Sequence, residues 1–395
     1  MKHSGKRKWC AALICVAWLL NDTGALRLAG QSVAKVPETT RKYADSIPNP
    51  LPPPDPCDNA TVTRWGKQDQ KGNFNYLTPT KVLEALKLVR EGRFIRLDHL
   101  WEPGRNGVLG NIAIETIRGT PPAVLPTPPK RFGITTYEIL AEPAIQKAGN
   151  ANAYGAVGQQ GAQMDAWNHM GHKNGVTYNC YDLLNDDNLF VVPDINDPSK
   201  TMFAGYKAMG VDNFGTVVTR GILIDVFAYK KRQLAAAGTD VSDFPPKGFF
   251  YTSEDLEDAI LKQGLKITDF EPGDIIFVRT GDAYKWWTED PDKPRDDRPG
   301  FFNNQANVND RAGQWIVNRN ALAYGSDTSG GPHSTLMPQG VTLVEDLDLE
   351  LLAKDAAAIF ARSRDAHRAY ILTTIFQPLR CRGCSGSPVA PVALR

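Results

Sequence analysis

The chain has 395 residues, of which 42% are hydrophobic, and it carries a formal net charge of +1. This length and composition are ordinary for a globular protein and suffice for one large domain or two smaller ones. The near-neutral charge argues against a nucleic-acid partner, because such partners select strongly basic surfaces.

The first 25 residues have the three parts of a secretory signal peptide. Basic residues lie between Lys2 and Lys8, the apolar run Trp9–Leu20 comes next, and the small residues of Thr23–Ala25 close the segment. Crossing a bilayer takes about 20 residues, so this run of 12 makes a membrane anchor the weaker alternative. We predict a signal peptide over residues 1–25, a secreted or periplasmic protein, and no stable membrane insertion. Removal of the peptide would take the net charge from +1 to −2.

Residues 26–63 are poor in periodic apolar residues and end in the proline-rich stretch Ile47–Pro56. Proline favours an extended backbone and donates no backbone hydrogen bond. We therefore predict an N-terminal tail over 26–63, which acts either as a spacer or as an arm that wraps a neighbouring subunit. Ordered structure is expected from near Trp65 onward, in one domain over residues 64–395.

The first predicted helix covers residues 79–91, with Thr78 as its N-cap and Gly92 in the left-handed position that often ends a helix. An alternating strand over 93–100 follows. Later segments continue the pattern, with strands predicted over 216–226, 275–280, 322–327, 341–344 and 370–376, and helices over 254–263 (capped by Ser253), 310–318 and 347–353. This alternation of strands and helices favours an α/β fold with mixed sheets.

Four cysteines lie beyond the predicted signal peptide: Cys57, Cys180, Cys381 and Cys384. In an exported protein this even number permits up to two disulfides, whose pairing cannot be read from sequence. The pair Cys381 and Cys384 could alternatively be a redox motif or half of a zinc site. A disulfide or inert thiols is the favoured interpretation, because no second cysteine pair completes a four-thiolate site.

Four separated residues could carry hydrolytic chemistry: Asp165, His169, His333 and Glu345. A hydrolytic metal needs a few anionic or imidazole ligands and one position left open for water. Asp165, His333 and Glu345 could supply three such ligands. His169, four residues after Asp165, could then reach the water as a proton carrier.

The segment Gly161–His169, followed by Tyr178 and Asn179, resembles the H-x-G-T-H-x-D-x-x-x-H signature of the cyclase family, which includes bacterial kynurenine formamidases and isatin hydrolases. The resemblance spans about residues 80 to 392. Its further landmarks, in chain order, are Gly92–His99, Val218–Asp225, Glu271–Asp274, Arg279–Gly281, Gly325–Thr328, Pro378–Arg380 and Gly386–Pro388.

The resemblance implies a swivelling β/β/α fold of mixed sheets with flanking helices, a zinc or manganese centre, and a homo-oligomer that acts on a small-molecule substrate. It places the two signature histidine ligands on Gln159 and Gln163, and the aspartate ligand on Asp165. It also places the catalytic histidine on His169 and the later ligand pair on His333 and Glu345.

Glutamine at both signature histidine positions departs from the family pattern. An amide oxygen is a neutral and weaker ligand than imidazole, and it favours harder ions such as manganese, magnesium or calcium over zinc. His172 could be a replacement ligand, although a hydrogen-bonded loop histidine is the more common role for such a residue.

We therefore predict a metal-dependent hydrolase of carbon–nitrogen bonds other than peptide bonds, similar to arylformamidases. Its substrate would be a small amide, a formamide such as N-formylkynurenine, or a lactone. Export fits poorly with intracellular tryptophan catabolism, so the substrate stays open. The alternative is a secreted, non-catalytic binding protein that kept the fold and lost its metal.

Overall fold

The computed structural model of the chain describes residues 64–99, 137–138, 144–146, 154–156, 162–171, 176–183, 185–193, 199, 201–281, 305–380 and 382–395. All of them belong to one compact unit within Pro48–Arg395. The predicted signal peptide over 1–25 and the predicted tail over 26–63 lie outside the described residues. Among those residues, no helix is long and apolar enough to span a membrane.

The described strands are β1 Phe94–Arg96, β2 Tyr137–Glu138, β3 Ala144–Gln146, β4 Tyr154–Ala156, β5 Gln163–Asp165, β6 Met170–Gly171, β7 Leu189–Pro193, β8 Thr201–Tyr206, β9 Val217–Ile224, β10 Phe250–Tyr251, β11 Ile275–Val278, β12 Asn307–Val308, β13 Ala323–Ser326, β14 Thr342–Glu345, β15 Ile371–Phe376, β16 Gly386–Pro388 and β17 Val392–Leu394. The described α-helices are α1 Pro79–Leu86, α2 Val226–Ala236, α3 Ser253–Lys262, α4 Asp310–Val317, α5 His333–Leu336, α6 Glu350–Ser363 and α7 Ala366–Tyr370.

Nine strands form one mixed sheet in the order β1-β17-β15-β9-β11-β13-β14-β5-β16. Its centre, β9-β11-β13-β14, is parallel, and antiparallel strands flank it on both sides. The central strands are buried and apolar, as in Ile275–Val278, because helices cover the sheet. Helices α1, α3 and α7 all contact β9. The predicted α/β class with mixed sheets and flanking helices is confirmed.

Several predicted elements match the structure within a few residues, and others differ for identifiable reasons. The helix predicted over 79–91 is wrong beyond Leu86, because the amides of Leu88 and Val89 bond carbonyls three residues back and form tighter turns. The helix predicted over 347–353 begins later and runs to Ser363. The cap of α3 is Thr252 rather than Ser253, since Thr252 and Asp255 form a reciprocal capping box.

Helix α2 was not predicted from the sequence. Its buried residues are confined to Val226, Phe227 and Tyr229 in the first turn, and the turns that follow are polar. A helix with so little apolar periodicity leaves only a weak signal in sequence.

The cysteines are described in part. Cys384 is disulfide-bonded, and Cys180 is free and exposed. The disulfide expected among these cysteines is therefore present at Cys384, which leaves no free thiolate there for zinc. Cys57 and Cys381 lie outside the described residues.

Candidate metal centre

Two neighbouring antiparallel strands supply three of the predicted site residues. In β5 and β14, Gln163 pairs directly with Glu345, and Met164 pairs with Val344. Since side chains alternate along a strand, Gln163 and Asp165 share one face with Glu345, while Met164 points to the opposite face. All three polar residues are buried, and Asp165 is fully inaccessible. The sheet register therefore brings together residues 180 positions apart in the chain.

His333 reaches this face from the first residue of α5. Its Nε2 lies 3.2 Å from Asp165 Oδ2 and 3.3 Å from Glu345 Oε1. On the other side of the ring, Nδ1 lies 3.1 Å from the carbonyl oxygen of Gly331. Because the ring is held on both sides, Nε2 is directed between the two carboxylates.

His169 lies beside the same cluster. It ends the short 3₁₀ helix Trp167–His169 that directly follows β5, and its amide donates to Ala166 O at 2.9 Å. Its Nε2 is 3.9 Å from Asp165 Oδ1. The His169 and His333 rings have centroids 6.0 Å apart. His169 thus borders the cluster without closing a hydrogen bond to Asp165.

The cluster contains two buried carboxylates, Asp165 and Glu345, and a positive charge between them would stabilise both. Burial by itself would lower the pKa of His333, but the neighbouring Glu345 and Asp165 outweigh it and raise that pKa well above the ordinary 6.5. Burial, and then the charge of Asp165, raise the pKa of Glu345. A proton on His333 supplies the positive charge in the absence of a cation.

Three buried residues of this site are close enough to share a divalent cation. Ligand atoms bound at about 2.0–2.3 Å lie roughly 3–3.5 Å apart in tetrahedral or octahedral sites, which matches the distances from His333 Nε2 to both carboxylates. Asp165, His169 and His333 each offer one ligand atom, and these three atoms lie within 4.8 Å of one another; Glu345, which contacts His333, is not part of this group. Carboxylate and imidazole donors together suit manganese, iron or zinc.

Comparison with known proteins places this geometry in a family. The family model Cyclase, described as "Putative cyclase", matches residues 120–331. The chain belongs to the cyclase family. The matched range includes Asp165 and His169 and ends two residues before His333.

The fold is similar to that of a solved cyclase structure, and weaker matches include isatin hydrolases. The crystal structure of a cyclase is 23% identical, with a TM-score of 0.57, over 85% of this chain and 100% of that one. Isatin hydrolase A from Labrenzia aggregata is 15% identical, with a TM-score of 0.40, over 80% of this chain and 97% of that one. Isatin hydrolase A from Ralstonia solanacearum is 16% identical, with a TM-score of 0.38, over 80% of this chain and 98% of that one. No curated protein matches the chain.

The predicted site residues of this cyclase-family chain fall into two groups. The structure brings together Asp165, His169, His333, Glu345 and Gln163, whereas Gln159 and His172 lie outside the described residues. Gln163 is oriented with its amide nitrogen 3.3 Å from Glu345 Oε2, as a hydrogen-bond donor. The roles of these residues as ligands and proton carrier stay predictions.

Two contacts at this cyclase-family site were missed from the sequence. Thr342 Oγ1 donates to the carbonyl oxygen of Asp165 at 2.5 Å and ties the start of β14 to the end of β5. Asn168 Nδ2 donates to Gly383 O at 3.2 Å and ties the His169 helix to the C-terminal segment. Both contacts join residues far apart in the chain, so no local pattern indicates them.

Proposed function

We propose that this chain is a metal-dependent hydrolase that cleaves a carbon–nitrogen or lactone bond in a small molecule. The observation that carries the proposal is the convergence of His333 Nε2 on two buried carboxylates, with His169 at its side. Structural ion pairs rarely bury two acids around one imidazole, because such an arrangement is costly without a function. Membership of the cyclase family supports the same reaction class.

Asp165, His333 and Glu345 would hold the divalent ion, manganese or zinc. When bound, the ion supplies Lewis-acid activation of water and of the substrate carbonyl. His169 takes a proton from the attacking water at Nε2 and returns it to the leaving nitrogen or oxygen. Gln163 keeps the carboxylate of Glu345 in place through its amide.

We propose a cyclic or aryl amide as the substrate. Membership of the cyclase family supports this choice, and two of the solved structures that the chain matches are isatin hydrolases. An aryl formamide similar to N-formylkynurenine is the closest alternative. We also propose that the mature protein is exported and forms a homo-oligomer.

One observation favours a second candidate, a binding protein without metal. A protonated His333 places one positive charge beside both carboxylates, and the Gln163 amide donates to Glu345. One of the two negative charges is thus offset without an ion. Such a protein would keep the fold and the pocket but would not turn over substrate.

Metal content and turnover distinguish the two candidates. Purified protein dialysed against Mn²⁺ or Zn²⁺ is expected to retain one ion per chain and to hydrolyse at least one member of a panel of formamides, isatin-like cyclic amides and lactones. The His169→Ala variant should lose about 10²- to 10⁴-fold in kcat while retaining the ion.

The control is His367→Ala, which removes an exposed histidine paired with Asp269 and should leave kcat unchanged. Absence of metal under every condition would favour the binding protein. Unchanged turnover in His169→Ala would exclude His169 as the proton carrier.

A further inference from the structure

A short segment near the start of the described chain lies against both halves of the candidate site. We call Asp69–Phe74 the brace. The described residues 163–171 and 176–180, which include Asp165 and His169, form the first arm of the site. The residues 333–345, which include His333 and Glu345, form the second arm. The brace belongs to neither arm and contains none of the proposed ligands.

The brace holds the first arm through side-chain hydrogen bonds. Trp167 Nε1 donates to Gln70 O at 2.9 Å, and Tyr178 Oη donates to Asp69 Oδ2 at 2.7 Å. Asn179 Nδ2 lies 3.0 Å from Asp69 O. Trp167 is fully buried and lies two residues before His169 in the same 3₁₀ helix. The position of His169 therefore depends on contacts with the brace.

The brace holds the second arm through a backbone hydrogen bond, and an amide side chain of the brace bonds Ala321, which precedes that arm in the chain. The amide nitrogen of Asn73 donates to Gly340 O at 2.9 Å, and Asn73 Nδ2 donates to Ala321 O at 2.7 Å. Gly340 lies between α5, which begins at His333, and β14, which ends at Glu345. One residue of the brace thus fixes the turn between the two parts of the second arm.

Gly72 is the point at which the two arms come closest to the brace. Its φ is +56°, and a Cβ added there would lie 2.6 Å from Trp167 Cζ2 and 3.0 Å from both Cα and O of Gly340. Contacts below 3 Å are not tolerated, so a larger residue must displace the indole of the first arm or the backbone of the second. Only glycine lets both arms approach the brace to these distances.

We propose that the brace, with Gly72 at its centre, sets the spacing between the two arms and thereby the geometry of the cation site. Gly72, Asp69 and Asn73 are positioning residues, because they act through Trp167, Tyr178 and Gly340. The proposal rests on the proposed function in one respect, namely that a cation binds between the arms. A segment that only stabilised the fold would change the melting temperature without changing cation affinity.

The test compares Gly72→Ala with Gly92→Ala. Gly92 has a similar φ of +64°, but no atom lies within 4 Å of a Cβ added there. Both variants therefore carry a similar backbone strain, and only Gly72→Ala adds the clash between the arms. Mn²⁺ affinity is measured by titration calorimetry on the full chain, together with the melting temperature and amide hydrogen exchange by mass spectrometry.

We expect Gly72→Ala to weaken Mn²⁺ binding by about 10- to 100-fold, the range seen when outer-shell support of metal ligands is lost. Gly92→Ala should leave the affinity within about twofold. Hydrogen exchange should accelerate in peptides of both arms in Gly72→Ala and in neither arm in Gly92→Ala. Equal affinities in the two variants, or faster exchange in one arm alone, would overturn the proposal.

A second pair of variants, which disturb the structure less, tests the proposal if Gly72→Ala fails to fold. Tyr178→Phe removes the hydroxyl bonded to Asp69, and Tyr229→Phe removes an equivalent hydroxyl, 2.8 Å from Asp258 and outside the site. Tyr178→Phe should weaken Mn²⁺ binding several-fold more than Tyr229→Phe, and equal effects would count against the brace. If the wild-type chain binds no Mn²⁺, the proposed function fails. The role of the brace in spacing the two arms is then tested by hydrogen exchange in those arms alone.

Discussion

Gln163, which the resemblance in sequence predicts to replace a signature histidine, donates through its amide to Glu345. The two residues are direct cross-strand partners, so any side chain at position 163 faces the Glu345 carboxylate. A donor at this position stabilises the ionised form of Glu345, and an acidic group would repel it. Position 163 therefore controls how much negative charge the site holds.

We predict that Gln163→Glu lowers the free energy of unfolding of the metal-free protein by about 1–3 kcal/mol, because a buried carboxylate loses its donor and gains a like charge. Added Mn²⁺ should stabilise this variant more than the wild type, which thermal melts with and without the ion would show. The control is Gln163→Met, which removes the donor without adding charge. Glu and Met variants of equal stability and equal response to Mn²⁺ would contradict this view of the residue.

Two parallel strands of the central sheet are joined at their carboxyl ends by Asp327. This residue directly follows β13, and its Oδ1 accepts from the amide and hydroxyl of Thr280 at 2.7 and 2.8 Å. Its Oδ2 accepts from the amide of Gly281 at 2.9 Å. Thr280 and Gly281 follow β11, so one buried carboxylate links the exits of both strands.

Burial raises the pKa of Asp327 from 3.8 to about 7, despite the three donors. A carboxyl whose pKa is higher in the folded than in the unfolded chain holds its proton only in the folded state between these two values. Its contribution to the free energy of unfolding is therefore largest at low pH and falls as the pH rises toward about 7. Above that value the contribution is constant.

We predict that the stability difference between wild type and Asp327→Asn falls between about pH 4 and about pH 7 and is flat above it. Urea unfolding at several pH values measures this difference directly. A difference that does not change with pH would show that the three donors keep Asp327 ionised throughout.

Elements with a strong local pattern could be predicted from the sequence. The β-branched run near residues 216–226 forms β9, and the capped amphipathic segment near 254–263 forms α3. The end of α1 could not be predicted, because Gly92 has the expected left-handed φ but lies beyond a series of tighter turns. Helix α2 gave only a weak signal, since its buried residues are confined to its first turn.

At the scale of the whole molecule, the alternation of strands and helices and the resemblance to the cyclase family predicted the fold class. The spacing of the site residues along the chain did not predict the geometry of the site. Strands β9, β11 and β13 of the sheet lie between Asp165 and His333 in sequence. Only the β5–β14 register and α5 bring His333 and Glu345 to Asp165. The contacts of the brace could not be predicted from the sequence for the same reason. Its contacts with Trp167 and Gly340 join segments roughly 100 and 270 residues apart, and such contacts leave no local pattern.

The account depends on Asp165, His333 and Glu345 acting as one cation site. The most direct measurement is anomalous diffraction from crystals of the protein soaked in Mn²⁺. We predict one strong anomalous peak at about 2.0–2.3 Å from Asp165 Oδ2, His333 Nε2 and Glu345 Oε1. A difference map with no peak between these atoms, or with manganese only at surface carboxylates, would contradict the account.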